Sequence, residues 1–372
     1  MHRLNNFILC CLAYIYSFTY TRQNEVLNGE KVLIFHTGKL GDTVCITPMI
    51  RTLADSRYKF KCTVIGSSIN KEVLDYHPSV HGYVIATQGI IEQIKIVRKE
   101  CPHVICITTP NLKSLIVAIL SRPKLIVAPQ VVGGYSPYMT LSYRFLLQRV
   151  IKVPFAMNEY APQQYLNLLR PLGIESTDTQ KSIYYSKQAE SIATQRIQKG
   201  QGSKAIGIAL GAGNSIKQWP VTKFVQLVQV LLERNDGDIL YIFGGAKEKD
   251  IIQDFMNRLS DTEKERVVVA SDVSIDELKA CIARLDLFVG VDTGPIYIAE
   301  ALKVPLVDII GPVSEKEQPP LVPYARLVYL KDRKKPEIHI MNSRVYNVAE
   351  ARRQIEEITV EMVLDAIADL KL

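Results

Sequence analysis

Four glycine-bearing stretches carry the residue types that could do chemistry. The first is His36-Thr37-Gly38-Lys39-Leu40-Gly41-Asp42. Gly38 and Gly41 allow a sharp turn and a close backbone approach. Asp42 then stands at a helix start, where a carboxylate serves either as a cap for free amides or as a base that takes a proton from a hydroxyl. The second is Gly211-Ala212-Gly213-Asn214-Ser215-Ile216-Lys217-Gln218-Trp219-Pro220. Gly211 and Gly213 suit phosphate approach through main-chain amides. Lys217 is either a solvated loop lysine or the counter-charge of a diphosphate, and Trp219, the only tryptophan, reads as a packing anchor. The third, Gly244-Gly245-Ala246-Lys247-Glu248, offers Glu248 as a partner for ribose hydroxyls or as an acidic residue favouring a helix N-terminus. The fourth is Val291-Asp292-Thr293-Gly294-Pro295-Ile296-Tyr297. Pro295 suits a first helical turn, and the amides exposed there with the helix dipole make an anion site. Asp292 repels a phosphate, so it either holds a sugar hydroxyl or orders the loop.

These loops need strands before them and helices after them, and the chain supplies both. Short apolar runs at Val32–Phe35, Cys62–Ile65, Tyr83–Ala86, Val104–Thr108 and Leu125–Ala128 read as strands alternating with amphipathic helices. A less regular stretch follows to Gln180, ending in the polar run Glu175–Gln180, which reads as a linker. The alternation restarts with strands at Ala205–Leu210, Ile239–Phe243, Val267–Val269, Leu287–Val291 and Val304–Ile309. Helices between parallel strands imply right-handed crossovers, and ligands of such sheets bind beyond the carboxyl ends of the strands. The predicted organisation is an apolar leader over 1–27, a Rossmann-like domain over 28–180, a second over 181–350, and a terminal helix over 351–372.

Composition narrows the classes. The 372 residues are 47% hydrophobic and 22% charged, which excludes disorder, collagen-like repeats and a coiled coil. No apolar run reaches the length of about 18 residues that a spanning helix needs. The net charge of +7 reads either as ordinary surface charge or as attraction to a polyanion, such as substrate phosphates or an anionic lipid surface; no nucleic-acid-binding motif accompanies it, so no nucleic-acid partner is expected. Seven cysteines without a C-x-x-C pair fit a reducing compartment, and no metal site is expected from the six histidines. Neither G-x-x-x-x-G-K-[ST] nor G-x-G-x-x-G occurs. The uncharged run from Phe7 to Tyr20 has three readings: a helix packed on the protein or lying at a membrane surface, a weak signal or anchor, or a start codon set upstream of the true domain.

Three segments in order, KVLIFHTGKLGDTVCITPMIRTL (Lys31–Leu53), SIKQWP (Ser215–Pro220) and FVGVDTGPIYIAEALKVPLVDIIGP (Phe288–Pro312), resemble glycosyltransferase family 9, the ADP-heptose:lipopolysaccharide heptosyltransferases. The resemblance implies an α/β protein of the GT-B type, with two Rossmann-like doubly wound parallel sheets facing across a cleft. The amino-terminal half would bind the acceptor and the carboxyl-terminal half the donor, with the terminal helix packing back on the first domain. It implies Asp42 as general base, and Lys217, Glu248, Asp292, Thr293, Gly294 and Tyr297 around the nucleotide sugar. The family commonly reads D-T-G-P-M-H where this chain has Tyr297.

The expected activity is inverting, metal-independent transfer of a sugar, heptose from ADP-heptose, onto a lipopolysaccharide or related cell-envelope glycan. No cofactor beyond the ADP-linked co-substrate is expected. The acceptor would be lipid-linked or anionic, and the enzyme cytoplasmic with peripheral contact at the inner membrane. The rival readings are a transferase using another nucleotide sugar for O-antigen or capsule, a non-catalytic nucleotide-sugar-binding protein, and a dehydrogenase, which the missing G-x-G-x-x-G opposes.

Overall fold

A computed structural model describes residues 2–17 and 29–372, with side chains from residue 9 onward. Residues 18–28, which hold the end of the predicted leader, lie outside the described residues. The chain divides into two compact units, Met1–Gln180 with Ile340–Asn342, and Lys181–His339 with Ser343–Leu372.

In the first unit six strands form one parallel sheet: β1 (Lys31–Phe35), β2 (Lys61–Gly66), β3 (Val80–Ile85), β4 (Val104–Ile107), β5 (Leu125–Val132) and β6 (Ile151–Ala156). Their order is β3-β2-β1-β4-β5-β6. The central strands KVLIF and VICI are apolar at nearly every position because both faces are covered by helices. β6 was not predicted. Its sequence IKVPFA alternates buried and less buried positions and contains Pro154. Proline is tolerated on an edge strand, and β6 pairs only with β5.

The second unit repeats the plan with β7 (Ala205–Ala209), β8 (Ile239–Phe243), β9 (Val267–Ala270), β10 (Leu287–Val291), β11 (Leu306–Ile309) and β12 (Ala325–Val328). The order β12-β11-β10-β7-β8-β9 is the same permutation read from the other edge. The edge strand β12, also unpredicted, is only ARLV and carries Arg326, which reaches Asp369 Oδ2 at 3.1 Å.

The terminal helix Val360–Ala368 packs on β11, β12 and helix Val221–Arg234 of the second unit. Val360, Val363 and Ile367 recur on one face and enter the same apolar core as Leu231, Val307 and Val328. Full burial of each such side chain is worth about 1.5–3 kcal/mol, which holds the helix to its own sheet. Trp219 is buried in this core, edge-on to Phe224 at 4.9 Å, and its indole N–H donates to Ile358 O at 2.9 Å. The tryptophan is thus a packing anchor.

Both sheets reverse their winding at one point, between β1 and β4 and between β7 and β10. At a reversal the helices leave to opposite faces, so a crevice opens beyond the strand ends. The loops after β1 and β7 are those singled out by sequence for Asp42 and Lys217.

Candidate functional site

At the first reversal, strand β1 runs into His36 and then Gly38. A Cβ on Gly38 would lie 2.5 Å from Asp42 Cβ and 2.8 Å from His36 Nε2, so only glycine fits between them. Asp42 is the third residue of helix Leu40–Cys45 and half-buried. Its Oδ2 accepts the Lys39 amide at 2.7 Å, and the helix dipole favours its charge. Asn70, buried at the start of helix Ser68–Leu74, donates from Nδ2 to Gly38 O at 2.9 Å and also to Thr43 Oγ1. Thr43 Oγ1 in turn donates to Lys39 O at 2.9 Å. The loop is therefore clamped independently of Asp42. Sequence reasoning missed Asn70, whose partners lie far off in the chain.

His36 bridges the reversal itself. The Thr108 hydroxyl, just after β4, spends its hydrogen on Phe35 O at 3.0 Å. The 2.9 Å contact from His36 Nδ1 to Thr108 Oγ1 must then be donated by the imidazole. Nε2 is left as a bare acceptor, with no partner among the described residues, beneath Gly38. Burial pushes the His36 pKa down to about 4, and the nearby Asp42 only partly opposes this.

A pH dependence of stability follows. The folded protein keeps His36 neutral, while the unfolded chain protonates it at an ordinary pKa of about 6.5. The contribution is complete above that value and is lost as pH falls towards 4, by roughly 3 kcal/mol at most. Denaturant unfolding of the wild type and His36→Gln across that range should show the wild type losing ground to the variant as the solution is acidified. Parallel curves would mean that His36 is not held neutral. His77, likewise pushed down to about 4 by burial and then by Arg51, is common to both proteins.

At the second reversal, Lys217 ends the short turn Ser215–Lys217, and Asn214 caps that turn by accepting the Ile216 amide at 3.3 Å. Lys217 Nζ reaches across to Asp292 at the end of β10, donating to Oδ2 at 2.7 Å and to the main-chain oxygen. An ammonium has three hydrogens, so one remains for a ligand. Tyr297 is buried and donates its hydroxyl to Asp292 Oδ1. Asp292 is thus occupied on both oxygens and sits 4% exposed, as a support for Lys217. Thr293 precedes helix Gly294–Ala301 with extended backbone and makes no side-chain cap bond. Pro295 carries no N–H and the Ile296 amide donates to Thr293 O at 3.1 Å, so the first three residues of that helix leave the Gly294 amide for a ligand.

Glu248 does not join this group. Its Oε2 accepts the Gly245 amide at 2.9 Å. A Cβ on Gly211 would lie 2.3 Å from Glu248 Cγ, and one on Gly244 would lie 2.9 Å from Glu248 Cβ. The loops after β7 and β8 are packed together through that side chain. Gly213 is exposed and has open space where a Cβ would stand.

A layer of buried charge beneath Asp292 escaped the sequence reading. Asp308, inside β11 and in register with Gly290, is fully buried, and neither of its oxygens has a hydrogen-bond partner. Burial first, and then the Asp292 charge, hold its pKa well above the usual carboxylate range. Lys181 pairs with Glu300 at 2.6 Å, both buried, and its ammonium lies 5.4 Å from the centre of the Tyr297 ring. The signal was present: Asp308 and Glu300 interrupt otherwise apolar runs.

The model of glycosyltransferase family 9 (heptosyltransferase) matches residues 112–345. That stretch includes Lys217, Glu248, Asp292 and Tyr297; Asp42 lies before it. The chain is 25% identical over 192 residues to lipooligosaccharide heptosyltransferase 2 of Haemophilus influenzae, covering 50% of this chain and 53% of that protein. It therefore spans about half the length of that relative. Among solved structures, the glycosyl transferase family 9 protein of Veillonella parvula aligns over 93% of this chain and 98% of its own, with 18% identity and a TM-score of 0.76. The ADP-heptose lps heptosyltransferase II of E. coli aligns over 91% and 98%, with 18% identity and a TM-score of 0.72. The two doubly wound units are those of the GT-B class. With well over half of its residues matched by the family model, the chain belongs to glycosyltransferase family 9, the heptosyltransferase family.

Proposed function

We propose that this protein transfers a sugar, heptose from ADP-heptose, onto a lipopolysaccharide or related cell-envelope glycan, with inversion at the anomeric carbon and without a metal cofactor. The observation that carries the reading is the Lys217–Asp292 pair beside the open end of helix Gly294–Ala301. It puts one cation and the Gly294 amide where a diphosphate would bind. Thr293 and Gly294 line that position, and Gly211 and Gly213 bring the backbone of the neighbouring loop to it. Asp292 and Tyr297 act one step behind, by fixing Lys217. Glu248 holds the loop on which the ribose would rest.

In the reaction, an acceptor hydroxyl oxygen attacks the anomeric carbon as the bond to the diphosphate oxygen breaks. The bonding pair leaves on the diphosphate, where Lys217 and the Gly294 amide meet the growing charge. The hydroxyl proton passes to Asp42.

A donor panel tests the reading. ADP-heptose should bind more tightly than UDP- or GDP-sugars and should support transfer to a lipopolysaccharide core acceptor. Preference for a UDP- or GDP-sugar would replace it with the O-antigen or capsule reading. Donor binding without turnover would favour the non-catalytic one.

A further inference from the structure

The amino-terminal helix His2–Ser17 lies outside the site, packed on helices Leu112–Ser121 and Leu141–Leu147 of the first unit. Among the described residues no helix is long and apolar enough to cross a membrane. Yet this face leaves large apolar groups in water. Leu12 is 50% exposed, Ile15 64%, Phe145 48% and Leu141 87%. Tyr14 stacks on Phe145 at 4.0 Å. Cys10, Cys11, Tyr14, Ile15, Leu141 and Phe145 line an open groove of about 620 Å³. A contiguous apolar patch of this kind normally marks an interaction surface.

Charge identifies what covers it. Between Glu100 and Glu159 the chain has no Asp or Glu but carries Lys113, Arg122, Lys124, Arg144, Arg149 and Lys152. Before Glu25 it again has no acid, and it carries Arg3 and Arg22. Eight of the 45 Lys and Arg fall in these two stretches, so the remaining 37 face 38 Asp and Glu. The net positive charge of the sequence therefore falls in these two stretches, which include helices His2–Ser17, Leu112–Ser121 and Leu141–Leu147. Of these cations, Lys124 is spent on Glu30. Arg122 stacks over the Tyr16 ring at 3.9 Å, and Arg149 stacks over Tyr14 at 4.7 Å and donates to its hydroxyl at 3.0 Å. Arg144 and Lys152 are exposed and have no acidic neighbour among the ion pairs of the described residues.

We propose that the face formed by helices His2–Ser17 and Leu141–Leu147 docks onto an anionic phospholipid surface. Leu12, Ile15, Leu141 and Phe145 enter the headgroup boundary, while the arginines and Lys152 meet lipid phosphates, the division of labour of an interfacial helix. A second copy of the chain is the poorer occupant, because two such faces would bring like charges together. The inference deepens the proposed function by naming the surface that meets a membrane carrying the acceptor, but its test uses neither donor nor acceptor.

The full chain should co-sediment with phosphatidylcholine vesicles containing phosphatidylglycerol, should bind pure phosphatidylcholine far less, and should be released by salt. The variant Leu141→Asp/Arg144→Glu/Lys152→Glu, altered only at exposed positions, should lose about ten-fold or more of the vesicle affinity while keeping wild-type ADP binding. Equal binding to neutral and anionic vesicles, or undiminished binding by the variant, overturns the proposal. So does a dimer in light scattering that Leu141→Asp dissociates, since the face would then belong to a second copy. Failure of wild-type ADP binding would count against the proposed function and leave the vesicle result standing.

Discussion

Asp42→Asn is expected to lower kcat by about 10²–10⁴-fold, the usual worth of a positioned general base, with donor affinity unchanged. The substitution keeps the volume and leaves an oxygen to accept the Lys39 amide, which Asp42 now does at 2.7 Å. Asn70 and Thr43 hold Gly38 and Lys39 by bonds that do not pass through Asp42. The loop should therefore keep its shape while losing the carboxylate proposed to take the proton. Steady-state transfer assays with calorimetric titration of ADP would check both halves of the statement. Turnover at the wild-type rate would remove Asp42 as the base. Donor affinity falling with turnover would make it a binding group instead.

Lys217→Met should cost about 10²–10³-fold in kcat/KM, comparable to removing one preorganised donor from a charge-stabilising site. Here donor affinity should fall as well, because the same ammonium meets the diphosphate in the ground state. Part of the effect is structural. Asp292 would keep the Tyr297 hydroxyl but lose its cation, above an Asp308 whose pKa burial already raises. Tyr297→Phe provides the comparison: it removes one bond to Asp292 without touching the Lys217 charge, and its effect should be much the smaller. Thermal unfolding of both variants separates misfolding from lost chemistry. Wild-type kcat/KM in a folded Lys217→Met protein would exclude the lysine from the reaction.

The loops were legible because their logic is local. A buried parallel strand is a run such as KVLIF, and glycine followed by Asp or Lys at its end is written in adjacent residues. What was not legible depends on partners far apart in the chain. Lys181 and Glu300 are separated by 119 positions, His36 and Thr108 by 72, and Asn70 and Gly38 by 32. No window sees both members. The edge strands β6 and β12 were lost for another reason. An edge has one neighbour and tolerates proline or arginine, so Pro154 and Arg326 weaken the pattern that marks a central strand. The terminal helix was legible as a helix, since Val360, Val363 and Ile367 fall on one side. Periodicity gives a buried face but does not name the surface that buries it, here β11, β12 and helix Val221–Arg234.

The space around Gly38 sets the terms on which this loop can vary. Thr37 and Lys39 stand in solvent on either side of a residue wedged between an imidazole nitrogen and the base of the Asp42 side chain. The neighbours are therefore free to drift and retune reach or charge towards a new acceptor, while the residue between them is frozen. Diversity at this end of the molecule has to accumulate around a single fixed point.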